Sequence, residues 1–164
     1  MALQDGVQRA SDIVGVAGDL AGLSESIGRH EDAIRAYEAA LARTPNFVPY
    51  CNNLALLLVT YRTDKDSLRR AVDLSEKLAG MPGAAFLDTR GWVQLKAGDL
   101  PTAQTLLQQA ANELPDEPAI RFHLAMAQAA AGDGPSARRN IVAALDSHRE
   151  FPERAQAQQL LGRL

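Results

Sequence analysis

The chain has 164 residues, of which 46% are hydrophobic and 23% are charged, and its formal net charge is −3. This composition supplies enough apolar side chains for one well-buried domain, and a mean hydropathy of −0.17 argues against insertion into a membrane. Lys and Arg are interspersed with Asp and Glu and form no basic stripe, so nucleic acid is not an expected partner.

The first residues of the chain show no export signal. They lack a basic segment followed by a long apolar one, and Asp19 interrupts the apolar stretch that comes next. The pattern indicates a cytoplasmic protein if the chain is complete. A periplasmic or envelope-associated protein is expected instead if the chain is a fragment of a larger exported one. For Cys51, the single cysteine, we expect a buried structural thiol.

One spacing recurs along the chain: a Gly is followed five residues later by Ala and, in two copies, twelve residues after that by Pro. Each copy predicts two helices, because the glycine ends the first, small Ala residues let the two backbones approach, and proline stops the second. The copies are Gly28, Ala33, Ala40 and Pro45; Gly98, Ala103, Ala110 and Pro115; and Gly132, Ala137 and Ala144. We therefore predict repeats at residues 14–47, 48–83, 84–117 and 118–151, followed by a cap helix in 152–164.

In the first repeat the pattern predicts helices over Ile13–Ile27 and Glu31–Arg43. The inner face of the first of these carries Gly15, Gly18 and Gly22, and each glycine inside a helix is unfavourable relative to Ala. This face is expected to let the backbone of another segment come close to the helix. The candidates are the amino-terminal segment, which we favour, an upstream repeat, or the backbone of a ligand.

The second repeat departs most from the pattern. Residues 61–66 replace the short glycine turn, so we predict a longer loop before Ala71, with Asp66 or Ser67 capping the following helix. This loop is either a tolerated surface insertion or a contact loop for a partner. In the last segment we predict a helix that turns Leu160 and Leu161 inward and leaves Arg154 to solvent.

Small residues recur in every predicted first helix. Together with the positions of Ala, a bulky residue, Ala and Pro in the second half of each repeat, they resemble the tetratricopeptide repeat. The resemblance covers residues 14–151, and the recurring small residues are Ala21, Ala55, Gly91 and Ala125. It implies an all-α solenoid over residues 1–164, in which four helix-turn-helix repeats form a right-handed superhelix closed by a carboxyl-terminal capping helix. Segments such as LDTRGWVQLKAGD are also similar to repeats of bacterial envelope, exopolysaccharide and protein-sorting proteins.

In this family the first helices line a concave groove, and the matching positions here give a candidate partner-binding set. It comprises Asn52, Leu56, Val59, Asp88, Trp92, Leu95, Lys96, Phe122, His123 and Met126. An apolar and aromatic centre suits an amphipathic helix or an extended peptide. The alternative is that Trp92, Phe122 and Met126 are ordinary core between helices. Asn53 matches a carboxylate-clamp Asn, but the cationic companions are absent, so acidic chaperone tails are not expected ligands.

No catalytic or metal-binding spacing is present in the sequence, and we predict no enzyme activity, no metal and no cofactor. For His123 we expect a hydrogen-bonding or packing role. The resemblance implies a non-catalytic scaffold that holds a protein or peptide partner. The alternatives are a sensor of a small molecule or signalling peptide that regulates a linked effector, and a homo-oligomer.

Overall fold

The computed structural model describes residues 15–164, and within this range it contains nine helices and no strand. The chain divides into two compact units, Met1–Ala79 and Gly80–Leu164. Helix α1 covers residues 15–26 as far as it is described. The other helices are α2 (His30–Arg43), α3 (Val48–Tyr61), α4 (Lys65–Glu76), α5 (Ala84–Ala97), α6 (Leu100–Glu113), α7 (Pro118–Ala130), α8 (Gly134–Asp146) and α9 (Arg154–Leu161).

In the second unit, α5 packs against α6, α7 packs against both α6 and α8, and α9 packs against α8. This succession of helical hairpins confirms the predicted all-α tetratricopeptide architecture. The core between α6 and α7 joins small and bulky side chains, because small residues let the helices approach and bulky ones fill the space left between them. Its buried members are Ala84, Ala103, Leu107, Ala110, Ala111, Ile120, Leu124 and Ala127.

Gly91 shows why a small residue recurs in the first helices. A Cβ atom added to Gly91 would lie 2.6 Å from Cγ and 3.2 Å from the backbone N of Leu107, which belongs to the facing helix α6. Because these distances are shorter than carbon–carbon contact allows, any larger residue would push the two helices of this hairpin apart.

Aspartates and glycines set the boundaries between the paired helices. Gly98 ends α5 with φ of 90°, a left-handed conformation that costs glycine no steric strain. The next residue, Asp99, caps α6 by accepting a hydrogen bond from the backbone N–H of Thr102 at 3.2 Å. Asp133 caps α8 in the same way from the N–H of Ser136 at 3.1 Å.

The prediction of a longer loop between the helices of the second repeat is wrong. Residues 62–64 connect α3 to α4, a link no longer than residues 131–133 between α7 and α8. The cap of α4 is Asp64, which accepts a hydrogen bond from the backbone N–H of Ser67 at 2.8 Å. The extra residues instead follow α4, where residues 77–83 form the connection to α5.

The error has a simple origin in the register of α4. Ser67 lies three residues after its cap Asp64, the place that Thr102 holds after Asp99 in α6. Ala71, on which the repeat was aligned, lies one turn further along the same buried face of α4. Residues 65 and 66, which were assigned to the loop, instead form the start of α4.

Gly18 of α1 meets a close approach from α3. A Cβ added to Gly18 would collide with the hydroxyl group and ring of Tyr50, which belongs to α3. Among the described residues, no heavy atom of a neighbouring element lies within 4 Å of a Cβ built on Gly15 or Gly22. Residues 1–14, to which we attributed the approach, lie outside the described residues.

The last helix, α9, is held to α8 by an arginine that was expected to face solvent. The guanidinium group of Arg154 donates hydrogen bonds to the carbonyl oxygens of Leu145 at 2.8 Å and Ser147 at 3.5 Å. These acceptors lie at the carboxyl-terminal end of α8, where helix carbonyls lack partners within the helix. None of the described helices has the length and apolar character needed to cross a membrane.

Candidate functional site

In the first unit, three of the candidate partner-binding residues lie on α3. Val59 is buried, whereas Asn52 and Leu56 are half-buried. The side-chain amide of Asn52 donates to Oδ1 of Asn53 at 3.1 Å. Oδ1 of Asn52 is itself buried and accepts no hydrogen bond from the described residues.

Asn53 starts a polar chain that links the first three helices. Its side-chain amide donates to the Tyr37 hydroxyl at 2.9 Å, and that hydroxyl donates to Oε1 of Glu25 at 2.9 Å. Burial raises the pKa of Tyr37 to about 12, although the donated hydrogen bond from Asn53 acts in the opposite direction. Tyr37 therefore stays protonated and keeps its donor role over the physiological pH range.

In the second unit, the two aromatic anchors predicted for the groove are buried. Trp92 on α5 is 1% exposed and Phe122 on α7 is 0% exposed. The expectation that their rings are open to a partner is wrong in this state of the molecule, and the core alternative describes them. Met126, one turn after Phe122, is half-buried and remains accessible.

His123 lies at the centre of these aromatic side chains. Its ring stacks on Trp92 with centroids 4.1 Å apart and an interplanar angle of 19°, and it lies 5.7 Å from the ring of Phe122. Nδ1 of His123 is 2.9 and 3.0 Å from the two carboxylate oxygens of Asp88. The buried carboxylate orients the imidazole, which confirms the hydrogen-bonding role expected for His123 and leaves Nε2 on the other side of the ring.

Lys96 extends the stack towards solvent. Its ammonium nitrogen lies 4.2 Å from the centroid of the Trp92 ring, a cation–π geometry. Partial burial lowers the pKa of Lys96, and the negative charge of Glu153 acts in the opposite direction. Leu95 beside it is half-buried and packs against the core of the second unit. We call the surface formed by Asp88, Trp92, Leu95, Lys96, Phe122, His123 and Met126 the first-helix face of the second unit.

Two residues that the sequence analysis did not select complete this face. Phe151 is 6% exposed, and its ring centroid lies 6.4 Å from that of Phe122. Glu153 is also 6% exposed. Both precede α9, Phe151 as the last residue of the predicted fourth repeat and Glu153 within the predicted cap segment. The available signal was a large aromatic residue in a connecting segment, where a polar residue is more usual.

The first-helix face has both accessible and buried members. Leu95, Lys96 and Met126 are its accessible residues, which we call the rim, and Lys96 lies over the buried ring of Trp92. In the part of the chain that the structure describes, no group of three His, Cys, Asp or Glu side chains could hold a metal ion. Cys51 is buried as predicted, and burial raises the pKa of its thiol.

Comparisons with known proteins agree with this architecture. The family model described as Tetratricopeptide repeat matches residues 94–164. A thermophilic TPR protein of Thermus thermophilus is similar in structure, with 22% identity and a TM-score of 0.66 over 98% of this chain and 85% of that one. No curated protein sequence shows significant similarity to the chain.

Two further solved structures share the fold. YrrB, a TPR protein with an unusual peptide-binding site, is 22% identical with a TM-score of 0.59, over 99% of this chain and 81% of that chain. PilW, a widely conserved type IV pilus biogenesis factor, is 15% identical with a TM-score of 0.67, over 97% of this chain and 75% of that chain. At these identities the likeness shows the fold alone.

The fold is thus an all-α solenoid of the tetratricopeptide-repeat type, as the spacing of Gly, Ala and Pro predicted, and residues 94–164 match the tetratricopeptide-repeat family.

Proposed function

We propose that this protein is a non-catalytic scaffold that binds a peptide or a partner's helix on its first helices, with the first-helix face of the second unit as the principal site. The observation that carries the proposal is the accessible Lys96 over the buried ring of Trp92, with the half-buried Leu95 and Met126 on the same two helices. The half-buried Asn52 and Leu56 of α3, together with the buried Val59, belong to the proposed partner-binding set of the first unit.

The buried support favours binding because it fixes the rim in place. Trp92, Phe122 and His123 pack against one another, and Asp88 holds the His123 ring by two short contacts. A rim residue that stands on such a support loses little conformational entropy when a partner docks. Trp92 and Phe122 therefore contribute by supporting the rim and not, in this state, by direct contact.

The chemistry of the rim limits what it binds. Leu95 and Met126 offer apolar area, which suits the apolar side of a helix or alternate residues of an extended strand. Lys96 adds a positive charge and so favours a partner segment that is acidic on one side. Participation in a bacterial envelope, exopolysaccharide or protein-sorting assembly belongs to the proposal and rests on the sequence similarity of segments such as LDTRGWVQLKAGD.

The experiment is an affinity capture from lysate of the source cells, analysed by mass spectrometry, with matched surface variants. Met126→Asp introduces a charge into the rim. Val142→Asp introduces the same charge at an exposed position of α8, where Val142 is 40% exposed. We expect a partner that the native chain and Val142→Asp recover equally and that Met126→Asp recovers at least about tenfold less, which corresponds to about 1.4 kcal/mol.

The capture experiment contradicts the proposal if Met126→Asp and Val142→Asp recover the same proteins in the same amounts. Both variants must keep the helical circular dichroism and the melting temperature of the native chain for the comparison to hold. Met126 is half-buried and Val142 is exposed, so this check excludes a loss of capture that comes from unfolding.

A further inference from the structure

We propose that Phe151 and Glu153 occupy the place on the first-helix face of the second unit that a partner peptide takes when it binds. That peptide carries an aromatic residue followed two positions later by a carboxylate. The inference rests on the proposed function and names the chemistry of the ligand for that same site. Three observations lead to it: the contact of Phe151, the charge near Glu153, and a group of polar atoms without partners.

The first observation is that Phe151 extends the aromatic cluster from outside the repeat helices. Its ring lies 6.4 Å from Phe122, which in turn lies 6.0 Å from Trp92. Tilted rings at these separations attract one another and exclude water. Phe151 belongs to the segment between α8 and α9, so the ring that covers Phe122 is supplied by a connection and not by one of the paired helices.

The second observation concerns charge. Glu153 is buried, and its negative charge opposes the lowering of the Lys96 pKa that burial causes. The ammonium group of Lys96 lies over the ring of Trp92. An acidic side chain of a partner would find the same complementarity that Glu153 finds now.

The third observation is a concentration of unsatisfied polar atoms. Nε1 of Trp92, Nε2 of His123 and Oε2 of Glu153 are all buried and have no hydrogen-bond partner among the described residues. Such atoms are costly in a folded protein, and they cluster where a function requires them. The internal segment therefore fills the space of this face and leaves these hydrogen-bonding groups unpaired within the described residues.

The segment is also held by an element that can detach. The helix that follows it, α9, has eight residues, and Ala157 is its one fully buried residue. Two hydrogen bonds from Arg154 to carbonyl oxygens of α8 secure its start. A short helix with so little buried surface opens at a much lower free energy than the repeat core does.

The test uses the full chain and a peptide that copies residues 149–155, with blocked ends. Trp92 is the single tryptophan, so its fluorescence reports directly on the face. The double variant Phe151→Ala, Glu153→Gln vacates the face and is expected to bind the peptide at least tenfold more tightly than the native chain. A control peptide with the same two substitutions should not bind.

A second variant keeps the test decisive if the alanine variant fails to fold. Phe151→Leu with Glu153→Gln preserves apolar volume and removes only the ring and the charge, and it should bind the native peptide several-fold more tightly than the native chain. Adding Lys96→Gln to either vacated variant should weaken binding of the native peptide. The dependence of that binding on the Phe residue of the peptide should not change.

The proposal is overturned if folded, vacated variants bind the native peptide no better than the native chain does, or bind the control peptide equally well. This outcome is distinguishable from failure of the proposed function. Suppose that Met126→Asp still loses a captured partner, while vacating the face changes neither peptide binding nor capture. The scaffold function then stands, and the proposal that Phe151 and Glu153 occupy the partner's place is wrong.

Discussion

The hairpins α1–α2 and α7–α8 share the same spacing of Gly and Ala, yet equivalent side chains lie in opposite environments. Leu20 of α1 is 53% exposed, whereas Leu124, at the same place in α7, is 2% exposed. In α7 this position packs against Leu107 and its neighbours on the preceding helix α6. The residue type at this position is therefore set by the repeat pattern. Its burial depends on whether a preceding helix packs over it.

The difference extends along the whole side of each helix. Val16, Leu20 and Leu23 of α1 and Ile27 just after it recur every three or four residues and are all exposed. Their counterparts in α7 include Ile120 and Leu124, which are buried in the α6–α7 core. An exposed apolar stripe of this kind contributes little to stability in the described structure, whereas the stripe of α7 is a main source of it.

The largest predicted effect is the contrast between Leu124→Ala and Leu20→Ala. Leu124→Ala leaves a cavity in a packed core and is expected to lower the free energy of unfolding by about 2–5 kcal/mol. Leu20→Ala removes an exposed side chain, so we expect a change below about 1 kcal/mol. Urea unfolding followed by circular dichroism measures both. Equal losses for the two variants would show that Leu20 is covered in solution.

An intermediate effect is predicted for glycines that lie in the two units. Gly91→Ala forces a Cβ against Leu107 and is expected to cost about 1–3 kcal/mol of unfolding free energy. Gly22→Ala places its Cβ in open space within a helix and is expected to stabilise by about 0.5–1 kcal/mol. Thermal unfolding distinguishes the two, and a destabilising Gly22→Ala would indicate a close contact on this face of α1.

The smallest predicted effect is a pH dependence of stability at the start of α8, where Asp133 caps the helix. By comparison, α2 begins without a side-chain cap. The hydrogen bonds from Ser136 hold the pKa of Asp133 below its usual range. A carboxyl with a lowered folded pKa stabilises above its unfolded pKa and loses that contribution as the pH falls through the folded value.

Asp133→Asn keeps a capping oxygen and cannot titrate, so it isolates this effect. The native chain should exceed Asp133→Asn in melting temperature near neutral pH, and the gap should close on acidification. A gap that stays constant from neutral to acidic pH would contradict a contribution from the ionised cap. Calorimetric scans at a series of pH values provide the measurement.

Much of the fold could be predicted from local chemistry. Gly28, Gly98 and Gly132 adopt the positive φ angles that end helices, and Ala33, Ala103 and Ala137 are buried at the helix crossings as the spacing required. The same pattern failed in α4, because this helix begins at Lys65 and so includes residues that were assigned to the loop. Without a glycine at the turn, the spacing of Ala residues does not show where the helix begins.

The candidate site was less predictable, because its accessibility depends on contacts between distant parts of the chain. Helical spacing correctly grouped Trp92 with Phe122, but it carries no information about the segment that covers them. Phe151 and Glu153 reach the face only through the turn between α8 and α9, and no periodicity marks that turn. The apolar stripe of α1 is the opposite case, because its apolar spacing is that of a buried helix face and yet its side chains are exposed in the described structure.

The most direct test of the central claim, that the first-helix face of the second unit binds the partner, is site-specific photo-crosslinking in the source cells. A photoreactive amino acid replaces Met126 in one version of the chain and Val142 in another, both at accessible positions. The account predicts a crosslinked protein from position 126 and none from position 142. Crosslinks from position 142 alone, or the same crosslinks from both positions, would contradict it.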